Sequence, residues 1–301
     1  MKYAWMKAHC DTYEIGMMSV LLEVSSSGYF AWLTRGHNLG VRAQKQAKVL
    51  VEIRRGQGKH RGRYGRRRMT VEVSEALGQM VNEKCVGRLM REHDLQSHKR
   101  RRFRVVTTDS KHAHPIAKNL LQRDFTADAP NQKWLGDLTY VWTHEGWLYL
   151  ALILDLYARK LVGWAMSETM PQELTLEALH MALGLRNPGD DLTHHTDRGS
   201  QYAAGGYRAV LKARGITVSM SRKGDCWDNA PMESVNGTLK VECVYGERFV
   251  TREDARQAIV RYIGYYNTER RHSSLGNVTP AQFEKNWHQA APREARRGQC
   301  N

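Results

Sequence analysis

Over roughly the first hundred residues, apolar side chains recur at helical spacing between runs of Lys and Arg, whereas from Asn131 they cluster into β-branched and aromatic runs. Two kinds of structure are therefore expected, one after the other. Upstream, a helix is predicted over Tyr13 to Glu23. A short second helix follows, which Ser25 to Ser27 can cap and which carries Tyr29, Phe30, Trp32 and Leu33. Val41 to Arg54 reads as a basic helix that the stretch GQGKHRGRYGRRR interrupts. Thr70 then caps a helix with Val73, Ala76, Leu77 and Met80 at i, i+3, i+4 and i+7, and a turn near Asn82 leads to Val86, Leu89 and Met90. Two short helices joined tightly suggest a helix-turn-helix-like unit. HKRRRFRVV closes it and begins a linker to about Ala129, where Pro115 and Pro130 discourage continuous helix.

Downstream, WLGDLTYVWT reads as a strand, and WLYLALILDLYARKLVGWAMS is long enough for two more with a turn near Ala158 to Lys160. Pro171 opens a helix with Leu174, Ala178, Met181, Ala182 and Leu185 on one side, and NPGDD ends it. LTHHTD makes a short strand, Ala203 to Arg214 a helix, Ile216 to Met220 a last strand, and a further helix starts near Pro231. Strands alternating with helices in this order place the segment in the α/β class. A helix near Glu253 to Tyr266 precedes NTERRHSSLGNVTP. The expected organisation is 1–40 helical, 41–104 basic, 105–130 linker, 131–245 α/β core, 246–287 helical extension and 288–301 polar tail.

Charge sharpens this division. The chain has 301 residues and a net charge of +15, and Val41 to Arg104 alone holds 19 Lys and Arg against 6 Asp and Glu. A block of that kind is the electrostatic footprint of a phosphate-rich partner, with nucleic acid the leading candidate over a merely solvated basic face. Arg66, Arg67, Arg68, Arg88, Arg91, Arg100, Arg101 and Arg102 are its candidate contacts. Five cysteines, odd in number and without a CxxC pair, argue against a disulfide framework or a zinc finger and fit a reducing cytosol. The longest apolar run, Trp147 to Leu154, is broken by Asp155 and too short to cross a bilayer, and the N-terminus does not read as a cleavable signal.

The candidate chemistry lies in three acids. In SRKGDCWDNAPMESVNGTLKVE, Gly224 loosens a loop, Asp228 or Asn229 can cap the helix that Pro231 suits, and Glu233 falls in its first turn. A helix-start glutamate alone is most simply read as dipole complementarity. Here, however, 35 residues separate Glu233 from Asp197 in LTHHTDRGSQY, and Asp137 stands in the first strand. Three carboxylates brought together repel one another unless a hard cation is present, and such cations prefer oxygen ligands. Lys240 shares the helix face of Glu233 two turns on, and with Arg222 and Lys223 of the preceding loop it is a candidate DNA contact. Arg270, Arg271 and His272 are candidates for backbone phosphates, and Tyr265 and Tyr266 for base stacking, with packing an equal reading for the two tyrosines. Asp155 reads as structural and His195 as a hydrogen-bonded histidine near the acids.

WLGDLTYV, ILDLYARKLVGW, HTDRGSQY, SRKGDCWDNAPMESVNGTLKVE and YYNTERRHSSLGNVTPAQF together resemble the retroviral-integrase-like transposases with a D,D-35-E triad. The likeness is greatest to the OrfB-type catalytic product of bacterial insertion sequences, and it runs from about Tyr64 to Phe283. The resemblance implies a ribonuclease-H-like core with a mixed five-stranded sheet, preceded by a basic all-α helix-turn-helix-like region. It implies Asp137, Asp197 and Glu233 as catalytic residues and as ligands of two Mg²⁺ ions, with Mn²⁺ able to substitute. It also implies metal-dependent cleavage and strand transfer at element ends. The implied partners are terminal-repeat and target DNA, an upstream OrfA-type product as fusion or partner, and further copies of the chain on DNA, with no membrane and a cytoplasmic, nucleoid-associated setting. The chain shows no sustained heptad repeat of the kind an upstream dimerisation module would carry. A nuclease that only hydrolyses, or a silent DNA-binding regulator, are the competing functions.

Overall fold

A computed structural model describes residues 1–37, 40–98 and 114–290. The chain divides into two compact units, Met1–Ser97 and His98–Asn301.

In the first unit, α1 (Lys2–Ala8), α2 (Ile15–Leu21) and α3 (Ser26–His37) close over Met6, Met18 and Tyr29. α1 was not expected from the sequence. α4 (Val41–Lys59), α5 (Arg66–Leu77) and α6 (Glu83–Glu92) enclose Ile53, Tyr64, Met69, Val73, Val86 and Leu89. The glycines do not interrupt α4 at Arg54. A Cβ on Gly56 would stand 2.7 Å from Met69 Sδ, so the glycine lets two helices approach closely within an unbroken helix. Nor does Thr70 cap α5, which starts four residues earlier. Its hydroxyl instead donates to Arg66 O at 2.8 Å. α5 ends where Gly78 adopts a left-handed conformation, which leaves Met80 outside the helix and fully exposed. Asn82 then caps α6 by accepting from Lys84 N at 2.8 Å. This α5–turn–α6 pair is the expected helix-turn-helix-like unit.

The second unit is built on a five-stranded mixed sheet. β1 (Lys133–Thr143), β2 (Gly146–Asp155) and β3 (Lys160–Ser167) form an antiparallel meander, and β4 (Thr193–Thr196) and β5 (Thr217–Met220) run parallel to β1 in the order β3-β2-β1-β4-β5. This is the ribonuclease-H-like arrangement. The crossover β3–α7 (Gln172–Arg186)–β4 and the pair α8 (Ser200–Ala203) and α9 (Gly205–Ala213) before β5 cover one face over Trp134, Ala151, Ile153 and Val162. Gly163 permits the close approach of α7, because a Cβ there would meet Ala178 O at 2.3 Å. The other face, Leu135, Leu148, Leu150 and Leu152, packs under α10 (Ala230–Leu239) and α11 (Arg252–Thr268). The alternation of these two sets along β2 is what a strand covered on both sides requires. Helix α12 (Pro280–Ala290) follows, and its Glu284 pairs with Lys160 of β3 and Arg186 of α7.

The expected linker is structural where it is described. Leu121 is buried in the core, Leu120 N donates to Ser219 Oγ at 2.9 Å, and Arg123 reaches Asp225 and Asp228. Asp155 holds the expected structural role, accepting from Asn131 N at 2.8 Å and pairing with Arg186 at 3.2 Å.

Candidate active site

β1 and β4 lie side by side with a register that sets Lys133 opposite Thr193 and Leu135 opposite His195. The same offset carried forward sets Asp137 level with Asp197, one residue past the end of β4. Between them there is little room. A Cβ on Gly136 would be 3.1 Å from Thr196 Cγ2 and 3.2 Å from His194 Cε1. The strands thus approach closely just before β4 ends and Asp197 leaves the sheet, while Asp137 stays within β1. Asp197 is fixed by a turn of its own making, its Oδ1 accepting from Gly199 N at 2.9 Å.

Glu233 arrives from the other direction, on the first turn of α10, and is exposed. Asn229 occupies the N-cap position without a side-chain cap bond and donates instead from Nδ2 to Gly136 O at 3.3 Å, fastening the helix start to β1. One turn beyond Glu233, Asn236 donates from Nδ2 to Asp137 Oδ2 at 2.7 Å. Sequence reasoning missed Asn236, although its i+3 spacing from Glu233 puts both on one helix face. The pKa of Asp137 is raised well above the ordinary value, first by desolvation and then by Asp197 and Glu233. Asp197 and Glu233 therefore both act on the charge of Asp137. Among the described residues no three His, Cys, Asp or Glu side chains are already drawn to chelating distance. Electrostatic influence reaches further than coordination, so Asp197 and Glu233 lie near enough to Asp137 to act on its charge without forming a ready-made metal cluster.

The loop before α10 is held by a buried anion. Asp228 is 0 % exposed and accepts from Arg222 N at 2.8 Å, Arg222 Nη2 at 2.8 Å, Asn119 Nδ2 at 2.9 Å and Arg123 Nε at 3.2 Å. Its pKa falls, chiefly through the Arg222 side chain. Arg222 is thus committed to the loop's own carboxylates, while Lys223 is exposed. His195 is buried and hydrogen-bonds Ser219 Oγ at 2.8 Å and Ser221 Oγ at 3.1 Å, and burial lowers its pKa to about 4. A neutral hydrogen-bonded histidine is what results.

Lys240 begins a π-helical turn, Lys240–Val244, that continues α10. Its ammonium lies 4.7 Å from the centroid of the Tyr140 ring. Burial lowers its pKa, and Asp137 partly opposes this, which places the cation beside the acids. In the same turn Glu242 accepts from Arg270 Nε at 2.8 Å and Nη2 at 2.9 Å and from Tyr262 Oη at 3.0 Å. This corrects the expectation for Arg270. The residue is 7 % exposed and binds a protein carboxylate, not an open phosphate. Tyr265, Tyr266 and His272 are buried as well, which removes them as contacts for bases or phosphates. Arg271 is partly buried and donates to Asn277 O at 3.1 Å.

In the first unit, Arg66 pairs with Glu83 at 2.8 Å and Arg88 with Glu92 at 2.8 Å. Arg68 lies 5.0 Å from the centre of the Tyr64 ring. Arg67 and Arg91 are exposed. Arg100, Arg101 and Arg102 lie outside the described residues.

Residues 127–226 match the integrase core domain family, residues 214–280 match a second integrase core domain model, and residues 43–103 match an HTH-like domain. A 31 kDa insertion element IS600 protein of Shigella sonnei is 46% identical over 275 residues, spanning 91% of this chain and 100% of the relative. The transposase InsF of insertion sequence IS3A from Escherichia coli is 41% identical over 285 residues, spanning 94% and 98%. The chain belongs to this family of insertion-sequence transposases. Among solved structures, the simian T-cell lymphotropic virus intasome complex overlaps this transposase-family chain with a TM-score of 0.47 at 14% identity, over 74% of this chain and 71% of that one. The HTLV-2 integrase catalytic core in complex with magnesium gives 0.40 at 17% identity, over 53% and 99%.

Proposed function

We propose that this chain is the catalytic subunit of an insertion-sequence transposase, cleaving DNA at the element ends and joining it to a target, with Asp137, Asp197 and Glu233 as its reacting centre. The convergence of these acids from β1, the end of β4 and α10 carries the reading. Three carboxylates, two half-buried and one exposed, with the pKa of Asp137 raised by burial and then by the other two, form an all-oxygen set that fits a hard divalent cation. We assign them as ligands of two Mg²⁺ ions, replaceable by Mn²⁺. Bound there, the metal supplies Lewis acidity toward the scissile phosphate and the attacking oxygen.

The remaining roles belong to the chain. Asn236 holds one Asp137 oxygen in place. Lys240, at the rim, offers a cation to the entering phosphates. Water attacking the phosphorus gives a nick as the P–O3′ bond breaks and the 3′-oxygen leaves as a hydroxyl. A DNA 3′-hydroxyl attacking a target phosphate in line gives strand transfer as the target's own P–O3′ bond breaks, so one arrangement serves both steps. The basic first unit supplies sequence-independent affinity through exposed cations such as Arg67 and Arg91. No described helix is long and apolar enough to cross a membrane. The working form in this reading is an oligomer on DNA, fused to or accompanied by an upstream OrfA-type product, at the nucleoid in the cytoplasm.

The test is a cleavage assay on labelled element-end DNA with Mg²⁺, using the chain alone and fused to its upstream product. Joined product supports the proposal. Nicking without joining indicates a nuclease, and retarded but uncut DNA a binding regulator.

A further inference from the structure

Beyond Leu135, β1 pairs among the described residues only with β2, and beyond Tyr140 and Tyr149 the two strands continue as a hairpin past β3. Tyr140 stands opposite Tyr149, and Trp142 opposite Trp147, so four aromatic side chains share one face. The nearer half of that face is covered by α7, α8 and α9, and the farther half is bare. Trp142 is 56% exposed and Trp147 39%. Their rings meet edge to face at 4.8 Å, and Trp147 meets Tyr140 the same way at 4.9 Å, so the two exposed indoles are held in place by their neighbours.

The hairpin is braced. His144 N donates to Phe249 O at 3.1 Å, Arg252 N to Glu145 Oε2 at 2.8 Å, and Arg252 Nε to Trp147 O at 3.1 Å. Arg252 also pairs with Glu168 at 3.0 Å. On the opposite face Val141 is sealed into the core. The aromatic row therefore sits on a fixed support. At its inner end the Lys240 ammonium lies over Tyr140, next to Asp137. From Asp137 to Trp142 is five strand positions, or roughly 17 Å at strand rise. That is about five base steps along one DNA strand. The odd count puts the Asp137 side chain on the Val141 face, so the path from the acids to the row rounds the edge of β1 where Lys240 lies.

We propose that Tyr140, Trp142, Trp147 and Tyr149 form a stacking platform for unpaired bases of the DNA strand next to the phosphate held at the acids, with Lys240 carrying the intervening backbone charge. The proposal rests on the transposase reading for its substrate. A base has an apolar face that an exposed indole matches and a phosphate that Lys240 matches. A second copy of the chain is the other candidate partner for such a surface, but two indoles and two largely covered phenols fall well short of the roughly 800 Å² per partner of a stable interface.

The experiment compares a duplex with one splayed end against the same sequence fully paired, using the full chain. Trp142→Leu and Trp147→Leu lower affinity for the splayed probe by about fivefold to a hundredfold and leave the paired probe unchanged. Trp142→Phe, which keeps a stacking ring, retains most of the wild-type affinity. In the wild type, 5-iodouracil in the splayed strand crosslinks to Trp142 or Trp147 on irradiation. Unchanged affinity for the splayed probe, or equal loss on both probes, overturns the proposal. So does a drop in oligomer size on sedimentation with splayed-probe affinity intact, which would make the patch a contact between copies. These binding arms need no cleavage. Wild-type cutting of element ends alongside unaltered binding by the variants therefore sinks only the platform. A selective binding loss in a protein that cuts nothing sinks the transposase reading and leaves the platform standing.

Discussion

Replacing Arg270 with Met separates a structural role from a DNA contact. The guanidinium grips both oxygens of Glu242, and the two side chains are 9% and 5% exposed. Arg270→Met leaves that carboxylate buried with Tyr262 as a hydrogen-bond donor but without its countercharge. Stranding one member of a buried ion pair costs about 3–5 kcal/mol. At about 2–4 °C per kcal/mol for a unit of this size, the melting temperature falls by roughly 6–20 °C. Thermal unfolding followed by tryptophan fluorescence reads this directly, since Trp134 is fully buried beside β2. Adding Glu242→Leu removes the orphaned charge and recovers most of the loss, because a buried pair and an apolar replacement of similar volume are often close in stability. The folded fraction of Arg270→Met binds DNA as the wild type does. A variant that melts with the wild type but binds DNA more weakly would refute the reasoning and restore Arg270 as a phosphate contact.

Other sites give sharper local tests. Asp228→Asn keeps the shape of the loop but removes the charge that holds Arg222 and Arg123. Limited proteolysis is expected to open the 222–229 loop, and urea unfolding to show lower stability. The lowered pKa of Asp228 contributes stability that is present above the ordinary aspartate range near 4 and is lost as pH falls through the folded value, a dependence that Asp228→Asn abolishes. His194, buried against Tyr207 Oη at 2.7 Å, has its pKa lowered to about 3 by burial. The unfolded state therefore takes up its proton first, and stability drops as pH falls from about 6.5 toward 3. Urea titrations at stepped pH are expected to show that slope flattened in His194→Gln. Gly163→Val forces a side chain against Ala178 O and is expected to lower stability by about 1–3 kcal/mol or more, measured by urea unfolding.

Much of this architecture is legible in the sequence, and the exceptions share a cause. Strand runs such as LYLALILD are bounded and β-rich, so they declare themselves locally. The three acids stand out as a candidate site because residue type, order and spacing act together. What stays hidden is where polar groups find partners far along the chain. Arg270 in NTERRHSSL looks like any surface arginine until Glu242, 28 positions away, is seen to bury it. The segment around Arg123 reads as a linker because its anchor, Asp228, lies 105 residues downstream. Asn236 carries no motif that distinguishes it from an exposed helix amide, and only the folded position of β1 gives it Asp137. Gly56 misleads in the opposite way, since a helix breaker by propensity becomes a contact point once Met69 lies across it.

The claim on which the account turns is that Asp137, Asp197 and Glu233 work as one unit. Single-turnover cleavage of element-end DNA in Mg²⁺ tests it, comparing Asp137→Asn, Asp197→Asn, Glu233→Gln and the triple variant at saturating protein. Groups that act as a unit are grossly non-additive, so each single change is expected to lose nearly as much rate as all three together while DNA binding persists. A single variant that cleaves close to the wild-type rate, or losses that multiply from one variant to the next, would contradict it.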